Sequence, residues 1–324
     1  MYSSEEILAM VNQGLADLQL DRQPFGIYEP IRYVLSAGGK RIRPVLLLMT
    51  YNMYKDDVQP VLPTAVGIET YHNYTLLHDD VMDRAEVRRG RPCVHKVWNE
   101  NTAILSGDSM LVMAYQLMAQ CPAESLKSVL DLFTVTALEI GEGQQYDVDF
   151  ETRMDVKSEE YIEMIRLKTS VLLACATKIA AIQAGASEED CELLYRFGES
   201  VGLAFQLQDD MLDVYGNFET FGKKIGGDIL CNKKTYLLIK ALEGADETQR
   251  QELEGWINAT DYDPGEKIAA VTSLYNAIGV RSLCENLVNK YFERAHKYLE
   301  QVSLPAEKKE TLWQYTLSLL GRDS

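Results

Sequence analysis

The sequence predicts an all-α protein, and three features of the chain favour this class. No proline occurs in the 141 residues between Pro122 and Pro264, so this interval can hold several long helices. Side chains recur there at helical spacing, at Tyr161, Ile165, Lys168, Leu172, Cys175 and Ile179, and again at Leu193, Leu194, Phe197, Val201, Phe205 and Leu212. Alternating runs bounded by turn pairs, which are typical of strands, are missing. Together these features predict about ten to twelve helices.

No serine- and glycine-rich linker or low-complexity tract divides the chain, so we expect one domain over residues 1–324. The largest glycine-rich stretch without helical periodicity runs from Gly216 to Lys234. It is predicted to be a functional loop rather than a domain boundary.

Composition restricts the classes of function. With 46% apolar and 25% charged residues, the chain is typical of a soluble globular protein. The 49 acidic and 32 basic residues give a net charge of -17, which disfavours nucleic acid or an anionic membrane as a partner. No apolar run is long enough to span a membrane, and the start of the chain lacks signal-peptide features. Six scattered cysteines without a CxxC pair favour a reducing, cytoplasmic location.

Two aspartate clusters are the most informative motifs. LLHDDVMD contributes Asp79, Asp80 and Asp83, and FQLQDDMLD contributes Asp209, Asp210 and Asp213. On a helix, carboxylates four residues apart project together and repel each other. Both clusters end strongly apolar segments, where a bound divalent cation would offset the repulsion. Mg²⁺ typically binds one or two carboxylates together with substrate phosphates and waters.

Basic residues cluster as tightly as the aspartates. The groups are Lys40, Arg41 and Arg43; Arg88, Arg89 and Arg91; Lys223 and Lys224; and Lys233 and Lys234. Each group adjoins a glycine or a helix boundary. Arginine and lysine recognise phosphate oxygens, so cations near metal-binding carboxylates predict a phosphorylated small-molecule substrate.

With these residues the sequence resembles the trans-isoprenyl diphosphate synthases, the polyprenyl synthetase family. The motifs that carry the resemblance occur in order along nearly the whole chain. They are GGKRIRP (38–44), ETYHNYTLLHDDVMD (69–83), RRGRP (88–92), GQQYD (143–147), Lys168-Thr169, FQLQDDMLD (205–213) and GKKIGGDILCNKKT (222–235). The resemblance implies an isoprenoid synthase-type helical bundle, with the two aspartate motifs facing each other across a central cavity.

The resemblance also implies the ligands and the reaction. Mg²⁺, three ions with substrate bound, would be held by Asp79, Asp83 and Asp209, with Asp80, Asp210 and Asp213 in supporting roles. The allylic diphosphate site would comprise Arg88, Lys168, Thr169, Gln206, Lys223, Lys224 and Lys233, with the choice between the two adjacent lysines left open. Isopentenyl diphosphate would be bound by Lys40, Arg43, His72 and Arg89. The allylic diphosphate would ionise, the second substrate's double bond would attack the cation, and a proton would be lost. A homodimer is expected.

Product length is expected to depend on the helix that carries the first motif. In the family, the growing tail descends beside this helix, and the residues four and five positions before the motif form part of the floor. Here these are Thr75 and Tyr74. A single aromatic at these positions resembles members that make C15 to C20 products, and Tyr71 lies one turn deeper.

Three alternatives stay open at this stage. A class I terpene cyclase shares the aspartate chemistry but does not require the GGKRIRP group. A di-metal carboxylate oxidase would use the Glu-x-x-His pairs Glu69/His72 and Glu293/His296. A non-catalytic partner subunit would be expected to have eroded motifs, yet all six aspartates are present. His78 is either a support for the first motif or a packing residue, and His95 is unassigned.

Overall fold

The computed structural model describes residues 1–216 and 225–320. Their Cα positions group into two compact units. The first unit comprises Met1–Thr134, Cys175–Glu192 and Ser303–Leu312, and the second comprises Val135–Ala174, Leu193–Val302 and Trp313–Ser324. The single domain expected over residues 1–324 stays a prediction.

Helices dominate the first half of the chain. They are α1 (Ser4–Ala16), α2 (Phe25–Leu35), α3 (Ile42–Asn52), a 3-10 turn (Gln59–Val61), α4 (Leu62–Met82), α5 (Val94–Val97), α6 (Glu100–Met118) and α7 (Ala123–Thr152). A short antiparallel hairpin, β1 (Val87–Arg88) and β2 (Arg91–Pro92), lies between α4 and α5. The local sequence explains two helix starts. Ser3 and Glu6 form a capping box at α1, and the Asn99 side chain accepts from the Thr102 N–H at α6.

Helices continue through the second half. They are α8 (Ser158–Ile165), a π-helical turn (Arg166–Ser170), α9 (Val171–Ala184), α10 (Glu188–Tyr215), α11 (Gly227–Leu230), α12 (Tyr236–Gly244), α13 (Glu247–Asn258), α14 (Pro264–Ile278), α15 (Val280–Gln301) and α16 (Ala306–Leu320). The predicted all-α class is confirmed. The proline-free interval holds α7 of 30 residues and α10 of 28. The described ranges contain sixteen α-helices, more than expected, because four-residue helices such as α5 and α11 are too short to show periodicity.

The first unit is built around α4, which contacts α1, α3 and α6. Its side chains from Thr64 to Tyr71 are all buried, as expected for a helix surrounded by protein. Small residues permit the close approach of α6. A Cβ atom at Gly67 would lie 3.1 Å from the Leu117 Cβ, and one at Gly107 would lie 2.2 Å from Nε2 of His78. This packing fixes the helix whose last turn carries the first aspartate motif.

The second unit has its own apolar core around the lower half of α10. Buried residues there include Tyr161, Leu203, Leu207, Ile229, Leu237, Ile239, Leu253, Tyr275, Val280 and Phe292. They come from α8 and from α10 to α15, and burial of each aliphatic side chain contributes about 1.5–3 kcal/mol. The core holds the α10 segment that carries the second aspartate motif.

Within the described ranges, no helix combines the length and apolar character needed to cross a membrane.

Candidate active site

The first aspartate motif lies where α4 ends. Asp79 and Asp80 belong to its last turn, and Asp83 is the capping residue, whose N–H donates to the carbonyl of Asp79 at 2.8 Å. Asp80 is buried, whereas Asp83 is exposed. Because Asp83 keeps helical backbone angles, its side chain follows the α4 face of Asp79, as the spacing predicts.

Arg88 lies beside this motif. Its Nε donates to Oδ1 of Asp80 at 2.6 Å, and its Nη2 lies 4.0 Å from Oδ2 of Asp79. The structure therefore brings together three residues that the sequence assigns to one site. Asp80 accepts a hydrogen bond from this cation, as suits a supporting carboxylate, and Asp79 lies within ion-pair distance of it.

The hairpin positions Arg89. Arg89 and Gly90 form its two-residue turn, with φ of 51° and 74°. Positive φ at both positions is the type I′ geometry, which suits glycine and strains arginine. The Arg89 side chain turns back toward α4, and its Nη1 donates to the carbonyl of Gly38 at 2.7 Å and to Oδ1 of Asn73 at 3.1 Å.

The GGKR segment closes around the same guanidinium. Gly38 and Gly39 have φ of 76° and 126°, and Arg41 has φ of 48°. A Cβ atom at Gly39 would lie 3.0 Å from Cζ of Arg89, so glycine permits this close approach. Lys40 is exposed immediately before α3. The structure thus places Lys40 and Arg89, both assigned to isopentenyl diphosphate, on adjoining segments.

Arg41, in contrast, turns into the protein. Its Nη1 donates to Oε1 of Glu69 at 2.7 Å, and both side chains are almost fully buried. Its Nη2 donates to the carbonyl of Leu35 at 2.6 Å. Of the basic group that the sequence singles out, Arg41 is therefore a structural member.

His72 and Arg43 form a second pair on the α3 and α4 faces. Nη1 of Arg43 lies 3.1 Å from Nε2 of His72. Because a guanidinium only donates, His72 accepts and must be neutral. Burial lowers the pKa of His72 well below its usual value, and the charges of Arg43 and Arg89 lower this pKa further. A neutral imidazole here orients the Arg43 guanidinium and does not neutralise its positive charge.

The contacts of Glu69 and His72 also bear on the di-metal alternative. Glu69 bonds Arg41, and His72 bonds Arg43, so both side chains serve cations. In the other pair, the ring of His296 packs on Trp313 at 4.4 Å. These contacts do not favour a di-metal oxidase.

The residues expected at the chain-length floor form an aromatic row along α4. The Tyr71 ring lies 5.4 Å from that of Tyr74 and 5.1 Å from that of Phe133, and the Tyr74 ring lies 4.8 Å from that of His78. Tyr71 is 2% exposed, whereas Tyr74 is half-buried. Thr75 bonds the backbone of its own helix.

His78 packs between α4 and α6. Its Nε2 lies 3.1 Å from the carbonyl of Ile104, next to Gly107. Between the two roles left open, this geometry favours packing. The His95 ring nitrogens are buried with no hydrogen-bond partner in the described part of the chain, and His95 stays unassigned.

The second motif lies within α10, where hydrogen bonds link four side chains. Thr169 donates to Oε1 of Gln206 at 3.0 Å, and Nε2 of Gln206 donates to Oδ1 of Asp210 at 3.1 Å. The phenol of Tyr161 donates to the other oxygen of Asp210. Burial, followed by the charge of Asp228, raises the pKa of Asp210 to about 8. Asp210 is buried within this network, and Asp209 lies half-buried beside it.

Asp213 bonds the segment that begins α11. Its carbonyl accepts from the Gly226 N–H at 2.6 Å, and its Oδ2 accepts from the Asp228 N–H at 2.9 Å, at the start of α11. Asp213 therefore supports the segment that leads to Lys233. Lys223 and Lys224, with the rest of residues 217–224 of the loop expected at Gly216 to Lys234, lie outside the described residues, and the described part of this stretch contains α11.

Lys168 projects from the π-helical turn between α8 and α9, a type of break found often at functional sites. Its Nζ donates to Oδ2 of Asp147 at 2.6 Å. Burial would raise the pKa of Asp147, but the charges of Lys233 and Lys168 outweigh it and hold this pKa below its usual value. Asp147 thus gathers two of the lysines assigned to the allylic diphosphate.

The carboxylate oxygens of the aspartate motifs suit a hard divalent cation whose other ligands come from a substrate. Among residues 1–216 and 225–320, no three His, Cys, Asp or Glu side chains are grouped to hold a metal alone. Mg²⁺ commonly binds one or two carboxylates together with substrate phosphates. Asp79 and Asp83, at the end of α4, suit that mode.

Several residues contact the predicted site without having been assigned to it. Glu69, Asn73 and Asp147 lie within motifs that the sequence shows, and Tyr161 lies in the helical pattern. The sequence singled out Glu69 only for the di-metal alternative, and the residue types of the other three gave no signal, since each acts by contacting another side chain.

The chain is similar to known proteins over most of its length. The polyprenyl synthetase family model matches residues 26–277. The chain is 41% identical to the geranylgeranyl diphosphate synthase of Methanosarcina mazei, over 72% of each chain. It is 38% identical to the geranylfarnesyl diphosphate synthase of Natronomonas pharaonis, over 88% of each. A crystal structure of a geranylgeranyl pyrophosphate synthase superposes with a TM-score of 0.94, at 42% identity and with both chains fully covered.

The chain belongs to the polyprenyl synthetase family. It is a prenyltransferase of the prenyl diphosphate synthase class, with the all-α isoprenoid synthase fold. The resemblance, the fold class and the class of enzyme predicted from the sequence are confirmed, and the terpene cyclase and oxidase alternatives are not favoured.

Proposed function

We propose that the protein condenses isopentenyl diphosphate with an allylic diphosphate to give a C15 to C20 prenyl diphosphate. The observation that carries the proposal is the pairing of predicted diphosphate-binding cations with carboxylates of the family motifs, Arg88 with Asp80 of the first aspartate motif and Lys168 with Asp147 of GQQYD. The names of the relatives, geranylgeranyl and geranylfarnesyl diphosphate synthases, support this substrate class.

Mg²⁺ is the proposed cofactor, with Asp79, Asp83 and Asp209 as ligands. When bound, it would neutralise charge that develops on the departing diphosphate. The proposed number of ions with substrate bound is three.

The protein's own groups have separate tasks. Lys168 and Arg88, with Thr169, Gln206, Lys233 and the pair Lys223 and Lys224, would bind the allylic diphosphate. They stabilise negative charge as the carbon to oxygen bond breaks. Asp147 and Asp210 hold these groups in place through the contacts described above.

The second substrate would bind to Lys40, Arg43, His72 and Arg89. Three of these side chains are held by hydrogen bonds: Arg43 and His72 bond each other, and Arg89 bonds Gly38 and Asn73. A fixed diphosphate orients the double bond toward the allylic carbon, which lowers the entropic part of the barrier. We further propose that both compact units act as one catalytic domain over residues 1–324.

A product assay tests the function. The purified protein is incubated with Mg²⁺, isopentenyl diphosphate and dimethylallyl, geranyl or farnesyl diphosphate in turn, and the chain length of the products is measured. Consumption of both substrates with release of diphosphate is expected. Conversion of the allylic diphosphate alone to a cyclic hydrocarbon would instead identify a terpene cyclase.

We also propose a homodimer. Helix α6 exposes Ile104 at 42%, Leu105 at 55% and Val112 at 68%, and apolar side chains spaced in this way suit a helical interface. Analytical ultracentrifugation of the wild type and of Val112→Glu tests this.

A cytoplasmic location is proposed because none of the six cysteines, all within the described residues, forms a disulfide. Cell fractionation tests that location.

A further inference from the structure

A buried chain of side chains connects the interior of the first unit to Arg89. Arg41 donates to Oε1 of Glu69 at 2.7 Å, and the same oxygen accepts from Nδ2 of Asn73 at 2.9 Å. Oδ1 of Asn73 then accepts from Nη1 of Arg89 at 3.1 Å. Arg41, Glu69 and Asn73 are 4%, 1% and 0% exposed. The chain therefore alternates cation, anion, amide and cation.

The Glu69 oxygens determine which way the Asn73 amide points. Nδ2 of Asn73 faces two acceptors, the carbonyl of Glu69 at 2.8 Å and its carboxylate at 2.9 Å. The reverse orientation would place the amide oxygen against both acceptors and the NH₂ group against the Arg89 guanidinium. Both arrangements are repulsive, so only one amide orientation is stable. In that orientation Asn73 presents an acceptor to Arg89.

Arg41 offsets the free-energy cost of burying the Glu69 carboxylate. A carboxylate buried to the extent of Glu69 is strongly disfavoured unless it is paired with a cation. Arg41 pairs with this carboxylate at 2.7 Å, and the same oxygen accepts from Nδ2 of Asn73 and orients the amide. The backbone of Arg89 is held at φ of 51° in its turn. Without the contact with Asn73, its long side chain would be able to adopt many rotamers.

We propose that Asn73 is a positioning residue that fixes the Arg89 guanidinium for the diphosphate of isopentenyl diphosphate. This inference rests on the proposed function, in which Arg89 binds that substrate. Asn73 itself is 0% exposed, so its effect is expected to pass through Arg89. Its effect is expected on the KM for isopentenyl diphosphate, and not on the KM for the allylic substrate.

The test compares Asn73→Ala, Arg89→Met and the double variant with the wild type. We expect Asn73→Ala to raise the KM for isopentenyl diphosphate about tenfold, with kcat changed less than twofold, since one charge-assisted contact is weakened. If Asn73 acts through Arg89, then Asn73→Ala has no further effect on this KM in the Arg89→Met background. Additive effects of the two substitutions, or an unchanged KM in Asn73→Ala, would overturn the proposal.

Thr70→Val provides a matched control. Thr70 lies one turn earlier on α4 and is as buried as Asn73. Its hydroxyl donates to the carbonyl of Val66 in the same helix. This control loses a buried hydrogen bond without touching Arg89. It is expected to lower thermal stability and to leave the KM for isopentenyl diphosphate unchanged. An equal rise of KM in Thr70→Val would assign the Asn73 effect to general loosening of α4.

A crystal structure of Asn73→Ala separates this inference from the proposed function. The expected result is an Arg89 guanidinium displaced from its 2.7 Å contact with the Gly38 carbonyl. If the wild type fails to consume isopentenyl diphosphate, the proposed function is wrong, and the structure still decides whether Asn73 positions Arg89. An unmoved guanidinium in the variant would refute that role.

Discussion

The Nε atom of Arg88 lies 2.6 Å from Oδ1 of Asp80, and this contact distinguishes Asp80 from its neighbour Asp79 in the first motif. The Asp80 side chain is 8% exposed and Arg88 is 32% exposed, so the ion pair is partly shielded from water. Asp79, one residue earlier, is 18% exposed and lies 4.0 Å from the same guanidinium. Asp80 therefore suits support of the motif, and Asp79 suits contact with a ligand.

Removal of the Arg88 cation is expected to destabilise the fold even without ligand. In Arg88→Met, the buried Asp80 carboxylate loses its charged donor, and we expect the free energy of unfolding to fall by about 1–3 kcal/mol. Urea unfolding without Mg²⁺ measures this change. The control is Lys127→Met, which breaks an exposed pair with Asp131 and should change stability by less than about 0.5 kcal/mol. Equal effects of both substitutions would show that the Arg88 pair has no structural role.

Replacement of Asp79 is expected to affect turnover and not folding. Asp79→Ala removes a proposed metal ligand, so kcat should fall about a thousandfold. Circular dichroism and the thermal midpoint should match the wild type. Asp131→Ala, which removes a carboxylate that is 62% exposed on α7, is the control and should retain activity. Full activity in Asp79→Ala would rule out its assignment to the metal.

Tyr74 is the side chain expected to limit product length. Its half-buried ring contacts Tyr71 and His78, whereas Tyr71 is 2% exposed and also packs on Phe133. Tyr74→Ala should therefore lengthen the product by one or more C5 units, as chromatography and mass spectrometry of the products would show. Tyr71→Ala is a poor test, because a cavity at this site would cost about 3–5 kcal/mol. Tyr146→Ala, on an exposed face of α7, should keep the wild-type product.

His72 is expected to make stability depend on pH. Burial and the charges of Arg43, Arg89, Arg88 and Arg41 lower the folded-state pKa of His72 well below 6.5. Between that lowered pKa and 6.5, the unfolded chain binds a proton that the folded chain does not. The free energy of unfolding therefore falls as pH falls through this window, by up to about 1.4 kcal/mol per pH unit.

The substitution His72→Gln isolates this contribution. The amide oxygen can still accept from Arg43, but no group titrates at this position. Relative to His72→Gln, the wild type should lose stability between pH 7 and pH 5 in urea unfolding. Parallel pH profiles for the two proteins would show that His72 does not carry the effect.

The sequence was sufficient for the fold class and for the residue types of the site. The spacing of Asp79 and Asp83 predicted one helical face, and α4 carries both at its end. The proline-free interval predicted long helices, and α7 and α10 have 30 and 28 residues. These predictions succeed because hydrophobic periodicity and helix breakers act locally along the chain.

Contacts between distant segments could not be predicted in this way. The three basic residues of GGKRIRP are within four positions of one another, yet Arg41 turns inward to Glu69 while Lys40 stays exposed. That outcome depends on a backbone φ of 48° at Arg41 and on where α4 passes. The π-helical turn that carries Lys168 likewise could not be predicted from the sequence, because its residues continue the helical pattern.

Two glycines hold the π-helical turn between neighbouring helices. A Cβ atom at Gly143 of α7 would lie 2.4 Å from the backbone nitrogen of Lys168, and one at Gly202 of α10 would lie 2.6 Å from Cα of Ser170. Both contacts are with backbone, which cannot rotate away as a side-chain tip can. The position of Lys168 thus depends on the absence of two methyl groups.

Gly143→Ala is expected to displace this turn and the Lys168 ammonium. Overpacking against backbone should cost about 1–3 kcal/mol of stability. A displacement of Lys168 from its 2.6 Å contact with Asp147 should lower kcat about ten- to hundredfold, because a misplaced cation stabilises the departing diphosphate less well. Gly141→Ala is the matched control on the same helix, since a Cβ there meets nothing within 4 Å. It should preserve kcat and raise stability by about 0.5–1 kcal/mol through helix propensity. Equal kcat in both variants would show that close packing at Gly143 does not set the position of Lys168.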